Sequence, residues 1–344
     1  MKKIAFYDTK PYDRIYFDKY SPDYGFEIKY IESKLNEHSA VMAEGCDGVI
    51  AFVNDTIDKN TISELSSLGN HVLAMRSAGY NNVDFKAAFG KIHVLRVPAY
   101  SPYAVAEHAM TLILALNRKI HRAYNRTREH NFLLNGLTGF DLHGKTIGIV
   151  GTGKIGRVFA GICRGFGTKV IAYDPFPSDC SEIEYVPFDE LCTRSDIISL
   201  HCPLTRDTYH IINDRALSHM KKGVYIINTS RGALIDTKAL LECIKSHHVG
   251  AVGLDVYEEE SEIFFEDFSD EILKDDMLAR LLTMPNVLIS GHQAFLTLEA
   301  LEKIAETTLE NLKAYFDNTE LKNEICYRCI KYGTCDHSHK NRCF

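Results

Sequence analysis

At 344 residues, with 39 Lys and Arg against 46 Asp and Glu, the chain carries a formal charge of −7, and its length predicts two domains. A composition of 45% hydrophobic and 25% charged residues is that of an ordinary globular protein and excludes wholesale disorder. The basic residues are scattered, which excludes a nucleic-acid footprint, and no apolar run approaches the ~18–20 residues of a membrane span.

Asp8 cuts short the apolar run that follows Lys2 and Lys3, so the N-terminus reads as a strand and not as a signal peptide. A cytoplasmic protein with reduced thiols is the expectation. Residues 3–7, 48–53 and 72–75 read as strands, and Pro102 opens a mostly apolar helix through Arg118. From there the pattern becomes regular, with strands at 146–150, 169–173, 196–200, 223–227, 250–254 and 286–290. These runs lack polar alternation, as parallel strands covered on both faces do. The helix-sized segments between them predict a doubly wound α/β sheet. Leu298 to Phe316 repeats apolar residues at a helical period. The predicted organisation is a discontinuous outer domain (1–101 plus 297–325), the regular sheet inserted in it (102–296), and a Cys/His-rich tail (326–344). Eleven acidic residues between 255 and 276 read mostly as a solvated surface loop.

Gly151-Thr-Gly153-Lys154-Ile155-Gly156 directly follows the strand 146–150 and opens a helix. At that junction Gly151 permits a tight turn, Gly153 a close backbone approach to a pyrophosphate, and Gly156 close helix–strand packing. The helix N-terminus offers N–H groups to the phosphate. Asp174 follows the next strand, about 20 residues on, where a carboxylate binds ribose hydroxyls and repels a 2′-phosphate, so NAD is preferred over NADP. Adenylate or S-adenosyl ligands are the competing occupants of such a loop. Arg231, Glu260 and His292 each stand beyond a predicted strand of the same sheet, where open α/β sheets bind ligands. A guanidinium, an acid and an imidazole there could converge on one substrate.

Longer runs carry a resemblance. They are Arg76-Ser-Ala-Gly-Tyr-Asn-Asn-Val-Asp84, Val97-Pro-Ala-Tyr-Ser-Pro102, Ala106-Glu-His108, Val150–Gly156, Ser199-Leu-His-Cys-Pro-Leu-Thr205, Asn228–Asp236, Leu254-Asp-Val-Tyr257 and Gly291-His-Gln-Ala-Phe-Leu-Thr297. From residue 1 to about 325 the chain resembles the NAD-dependent D-2-hydroxyacid dehydrogenases, most of all their bacterial fermentative D-lactate-type members. The resemblance implies a Rossmann cofactor domain inserted into a flavodoxin-like α/β substrate domain, the two closing on each other. It implies hydride transfer from NADH to a small 2-oxo acid, pyruvate in the first instance, with a larger 2-oxo acid such as 2-oxoisocaproate or phenylpyruvate as the alternative. An NADH-sensing binding protein is the reading from a different class.

In that family pattern His292 is the general acid/base and Glu260 favours its protonated form. Arg231 binds the substrate carboxylate through its planar fork. Ala78, Gly79 and Tyr100 hold the same carboxylate, while Phe52, Tyr100 and Phe295 bound the side-chain pocket. Cys202, Pro203, Thr205, Thr229, Ser230 and Asp255 join Lys154 and Ile155 on the cofactor. The helix that begins near Pro102 supplies the contact of a homodimer or homotetramer.

The tail departs from the family pattern. Cys326-x-x-Cys329 is followed by Cys335, His337, His339 and Cys343. The spacing fits no standard zinc finger. A zinc site, a dithiol switch and a tail with neither role all remain open, and catalysis is expected not to depend on it. No metal is expected in the active site.

Overall fold

The all-apolar runs of the sequence become the central strands of two separate sheets. The computed structural model describes residues 1–177, 182–260, 263–332 and 342–344. The chain divides into two units, Met1–Ser101 with Leu296–Phe344, and Pro102–Phe295.

In the first unit, β1 (Lys2–Phe6), β2 (Phe26–Tyr30), β3 (Gly48–Ala51), β4 (Val72–Met75) and β5 (His93–Leu95) run parallel in the order β2-β1-β3-β4-β5. That 2-1-3-4-5 order is the flavodoxin-like one. β3 and β4 are buried at every position, hence their unbroken apolar sequence. β2 and β5 escape the sequence pattern for opposite reasons. β2 is an edge strand, FEIKY, that buries only Phe26, and β5 is three residues long. The helix Leu298–Phe316, capped by Thr297 Oγ1, lays Ala305, Leu309 and Leu312 against Ile4, Phe6 and Val72 on one face of the sheet.

In the second unit seven parallel strands follow: β6 (Thr146–Val150), β7 (Lys169–Tyr173), β8 (Glu184–Tyr185), β9 (Ile197–Leu200), β10 (Val224–Asn228), β11 (Val249–Leu254) and β12 (Val287–Ile289). Their order, β8-β7-β6-β9-β10-β11-β12, is the dinucleotide-binding order with one strand added. The direction of winding reverses between β6 and β9, and ligands bind such sheets beyond the strand ends at that point. The helix Pro102–Arg118 buries Ala109, Ile113 and Leu116 with Phe159 and Ile147 on one face, while Leu217, Leu240 and Ile244 cover the other. β8 has two residues, too few for a period to register.

The sheet edge at β5 is covered by a last strand, β13 (Glu324–Ile325), running antiparallel to it. The chain then continues into a short helix, Tyr327–Tyr332, so the first unit extends beyond residue 325 to include the described part of the tail. Among the described residues no helix is long and apolar enough to cross a membrane.

Candidate active site

The glycine loop meets its geometric requirements. Gly151 has φ +94°, and a Cβ there would come within 2.8 Å of the Cys202 backbone. A Cβ on Gly156 would strike Gly151 O at 2.1 Å, so only glycine lets the helix Lys154–Gly165 approach the loop. Gly153 is the N-cap of that helix; no side chain caps it, and a Cβ there would meet nothing within 4 Å. An uncapped helix start with open space above it fits a pyrophosphate. Lys154 is exposed beside it, while Ile155 packs partly into the core.

Asp174, at the end of β7, reaches back to this loop. Its Oδ2 accepts from Thr152 N (2.7 Å) and Thr152 Oγ1 (2.9 Å), and its Oδ1 from Phe176 N (2.9 Å). Partial burial alone would raise its carboxyl. These bonds and the Arg157 charge outweigh burial and hold it below the usual range. Beyond β9, Cys202 is buried, which pushes its thiol up to about 11, and is no nucleophile. Pro203 and Thr205 are exposed in a turn closed by hydroxyls: Thr208 Oγ1 donates to Pro203 O (2.7 Å) and Thr205 N donates to Thr208 Oγ1 (2.7 Å). Beyond β10, the buried Thr229 Oγ1 has no hydrogen-bond partner among the described residues, so it fits a polar group of a bound cofactor. Ser230 Oγ donates to Leu200 O (2.9 Å) and ties the β9 and β10 ends together.

Arg231, Glu260 and His292 lie on loops after β10, β11 and β12 of this one unit. Gly232 sets the spacing of the first two, since a Cβ there would fall 2.0 Å from Tyr257 C. Arg231 is half-buried, and one of its guanidinium nitrogens donates to Ser230 O (2.6 Å). Glu260 Oε2 accepts from Tyr257 N (2.9 Å) and Glu260 Oε1 lies 3.0 Å from His292 Nδ1. Both side chains are about one-fifth exposed (20% for His292, 19% for Glu260). His292 has φ +51°, a costly conformation for a residue with a Cβ.

The His292 loop is held by Asp255. This carboxylate is fully buried and accepts from Ser290 Oγ (2.7 Å), Gln293 N (2.9 Å) and Ala294 N (2.9 Å), with His108 Nε2 at 3.3 Å. His292 N also donates to Asp255 O (2.8 Å). The Asp255 carboxylate is thus directed into the loop and sets the pose of His292. Gly232, His108 and Ser290 are positioning residues that residue-type reasoning missed. His108 stands in a quoted run, but a single polar residue in an apolar helix gives no sign of its partner.

The other members of the predicted set belong to the first unit, apart from Phe295, a buried residue at the end of the second. Phe52 is only 4% exposed, and the Arg76 guanidinium covers its ring at 3.8 Å. Arg76 itself is buried, donating to Asp8 O (2.8 Å) and pairing with Asp13 (3.4 Å). Ala78, Gly79 and Tyr100 are half-buried; Ala78 O accepts from Arg96 (3.1 Å) and Gly79 O from Ser77 Oγ (2.8 Å). The acidic run is less uniform than a solvated loop. Glu258 accepts from His210 (2.6 Å) and Thr237 (3.0 Å), and Asp275 caps the helix Asp276–Leu282, whereas Glu266, Asp267, Asp270 and Glu271 are exposed as expected. Of the tail thiols, Cys326, Cys329 and Cys343 lie together. Cys335, His337 and His339 lie outside the described residues.

Residues 110–294 match the model of the D-isomer specific 2-hydroxyacid dehydrogenase, NAD binding domain. The chain is 48% identical to the D-lactate dehydrogenase of Escherichia coli (strain K12) over 328 residues, 94% of this chain and 99% of that one. The chain belongs to the D-isomer specific 2-hydroxyacid dehydrogenase family. The apo-structure of the Escherichia coli D-lactate dehydrogenase superposes with a TM-score of 0.86 at 47% identity, covering 94% and 99% of the two chains. The NAD-complexed D-isomer specific 2-hydroxyacid dehydrogenase of Lactobacillus delbrueckii ssp. bulgaricus superposes with a TM-score of 0.80 at 30% identity, covering 94% and 100%. This family member is an NAD-dependent oxidoreductase with the two-sheet fold that the resemblance implied.

Proposed function

We propose that the protein reduces pyruvate to D-lactate with NADH. The observation that carries this reading is the partly exposed His292–Glu260 pair, 3.0 Å apart, on the same sheet end as Arg231. Glu260 occupies His292 Nδ1 and leaves Nε2 to give a proton to the substrate's carbonyl oxygen. Arg231 anchors the substrate carboxylate. When bound, NADH supplies the hydride. Gly151, Gly153 and Gly156 hold its pyrophosphate, Asp174 its ribose, and Thr205 and Thr229 the nicotinamide side, while the buried Asp255 fixes the His292 loop and is not a cofactor contact.

The family pattern assigns the substrate's side chain to Phe52, Tyr100 and Phe295, three rings that favour a methyl group. One methylene is worth ~1–3 kcal/mol, so 2-oxobutyrate should react more slowly and not be refused. The test is kcat/KM for pyruvate, 2-oxobutyrate, 2-oxoisocaproate and phenylpyruvate. Pyruvate is expected to lead. A lead for either of the last two would overturn the pyruvate reading, and NADH binding with no oxidation by any of them would favour a binding protein.

A cytoplasmic homodimer or homotetramer completes the proposal. Cys46, Cys163, Cys192 and Cys202 are buried, unbridged thiols, in keeping with a reducing compartment. The helix Ile120–Arg128 and the loop after it expose Tyr124, Phe132, Leu133 and Leu134, apolar side chains that self-association would cover.

A further inference from the structure

We propose that Cys326, Cys329 and Cys343 bind a structural zinc ion that fastens the C-terminus to the edge of the first sheet. The three sulfurs lie within 4.8 Å of one another, with Cys329 Sγ 3.6 Å from Cys326 Sγ and 3.7 Å from Cys343 Sγ. Thiolates ~2.3 Å from a tetrahedral zinc stand ~3.8 Å apart, so these two separations have the edge length of a zinc–thiolate tetrahedron. A disulfide would need ~2.05 Å and would leave the third sulfur aside. Here Cys329 stands nearly equidistant from both neighbours, which suits one shared ion better than either pair.

The site is built from two chain segments fixed by contacts that owe nothing to a metal. Cys326 directly follows β13, and Cys329 sits in the helix Tyr327–Tyr332. Cys343 returns from the other side. Its N–H donates to Glu324 Oε2 (2.7 Å), and Glu324 Oε1 lies 2.6 Å from His93 Nδ1. The Phe344 ring stacks on His93 with centroids 4.2 Å apart and planes 10° from parallel. Arg342 donates to Tyr315 O (3.0 Å) at the end of the helix Leu298–Phe316. Cys326 and Cys343 are buried, which shields a thiolate–metal centre from solvent, while the segments carry Arg328, Lys331 and Arg342 to offset its negative charge. Three cysteines leave one tetrahedral position to a further donor. The three belong to the first unit and Arg231, Glu260 and His292 to the second, so the ion would act on the attachment of the C-terminus and not on hydride transfer.

The full chain, purified without an affinity tag under reducing conditions, should be loaded with zinc sulfate, freed of unbound metal by gel filtration and assayed by inductively coupled plasma mass spectrometry. About one zinc per chain is expected, falling at least fivefold in Cys326→Ser and in Cys343→Ser, while Cys192→Ser keeps the wild-type content. The tail variants should retain wild-type kcat and NADH affinity, which reports that they fold. Wild-type protein with no retained zinc would overturn the proposal. So would serine variants that keep their metal, or an intact mass 2 Da low with no metal, which would assign the sulfurs to a disulfide.

Discussion

Arg76 and Arg231 each stand just beyond a central strand, β4 and β10, and each lies in a run that the family resemblance picks out, yet the structure gives them opposite situations. Arg76 is buried, stacked on Phe52 and bonded to Asp8 and Asp13. Arg231 is half-buried and bonds, among the described residues, to the carbonyl of its own neighbour Ser230. The histidine–carboxylate pairs divide in the same way. His93–Glu324 is 2.6 Å long with the carboxylate fully buried, and His292–Glu260 is 3.0 Å long with both partners partly exposed. Position at a strand end is therefore not enough to mark a functional side chain. What separates the two groups is enclosure: Arg76 and Glu324 are buried against fixed charged partners, whereas Arg231, Glu260 and His292 stay partly open.

The largest effect should come from the enclosed arginine. Arg76→Met would leave the buried Asp8 and Asp13 without the guanidinium between them and with Lys10 alone beside them, a loss of about 3–5 kcal/mol in unfolding free energy by urea titration. NADH affinity of the folded fraction should be unchanged. Arg231→Gln should do the reverse, lowering kcat/KM for pyruvate about 10²–10³-fold, as loss of a charged anchor worth ~2–5 kcal/mol does, with unfolding within about 0.5 kcal/mol of wild type. Turnover lost in the first variant at full stability, or stability lost in the second, would break the comparison.

A smaller effect sharpens it within the cofactor loop. Asp174→Ala should reduce the preference for NADH over NADPH by about tenfold, since a carboxylate at that position repels a 2′-phosphate. The Asp174 carboxyl is held below the usual range by Thr152, Phe176 and Arg157. Its contribution to stability is thus present above pH ~4 and fades as pH falls through the depressed value. Wild type and variant should differ at neutral pH and converge in acid; parallel curves would remove Asp174 from the loop's support.

Much of this was legible in the sequence, for identifiable reasons. β3, β4 and the core strands of the second sheet bury both faces, so they appear as unbroken apolar runs. Pro102 and the apolar spacing after Leu298 mark the two long helices. The glycine loop is legible because three separate steric demands fall on one hexapeptide. What stayed hidden depends on tertiary partners. The grip of Asp255 on Ser290, Gln293 and Ala294 spans more than thirty residues of sequence. The need for glycine at 232 arises only because Tyr257 passes beside it. Likewise, nothing in the spacing of Cys326, Cys329 and Cys343 tells that Glu324 draws the ends of the tail together.

The proposed reduction depends most directly on His292 as the proton donor. His292→Gln should be measured in parallel for pyruvate-dependent NADH oxidation and for NADH binding by fluorescence titration. Turnover is expected to fall about 10²–10⁴-fold, the usual contribution of a positioned acid, with NADH affinity within about twofold of wild type. Turnover that survives, or NADH binding that is lost along with it, would contradict the assigned role.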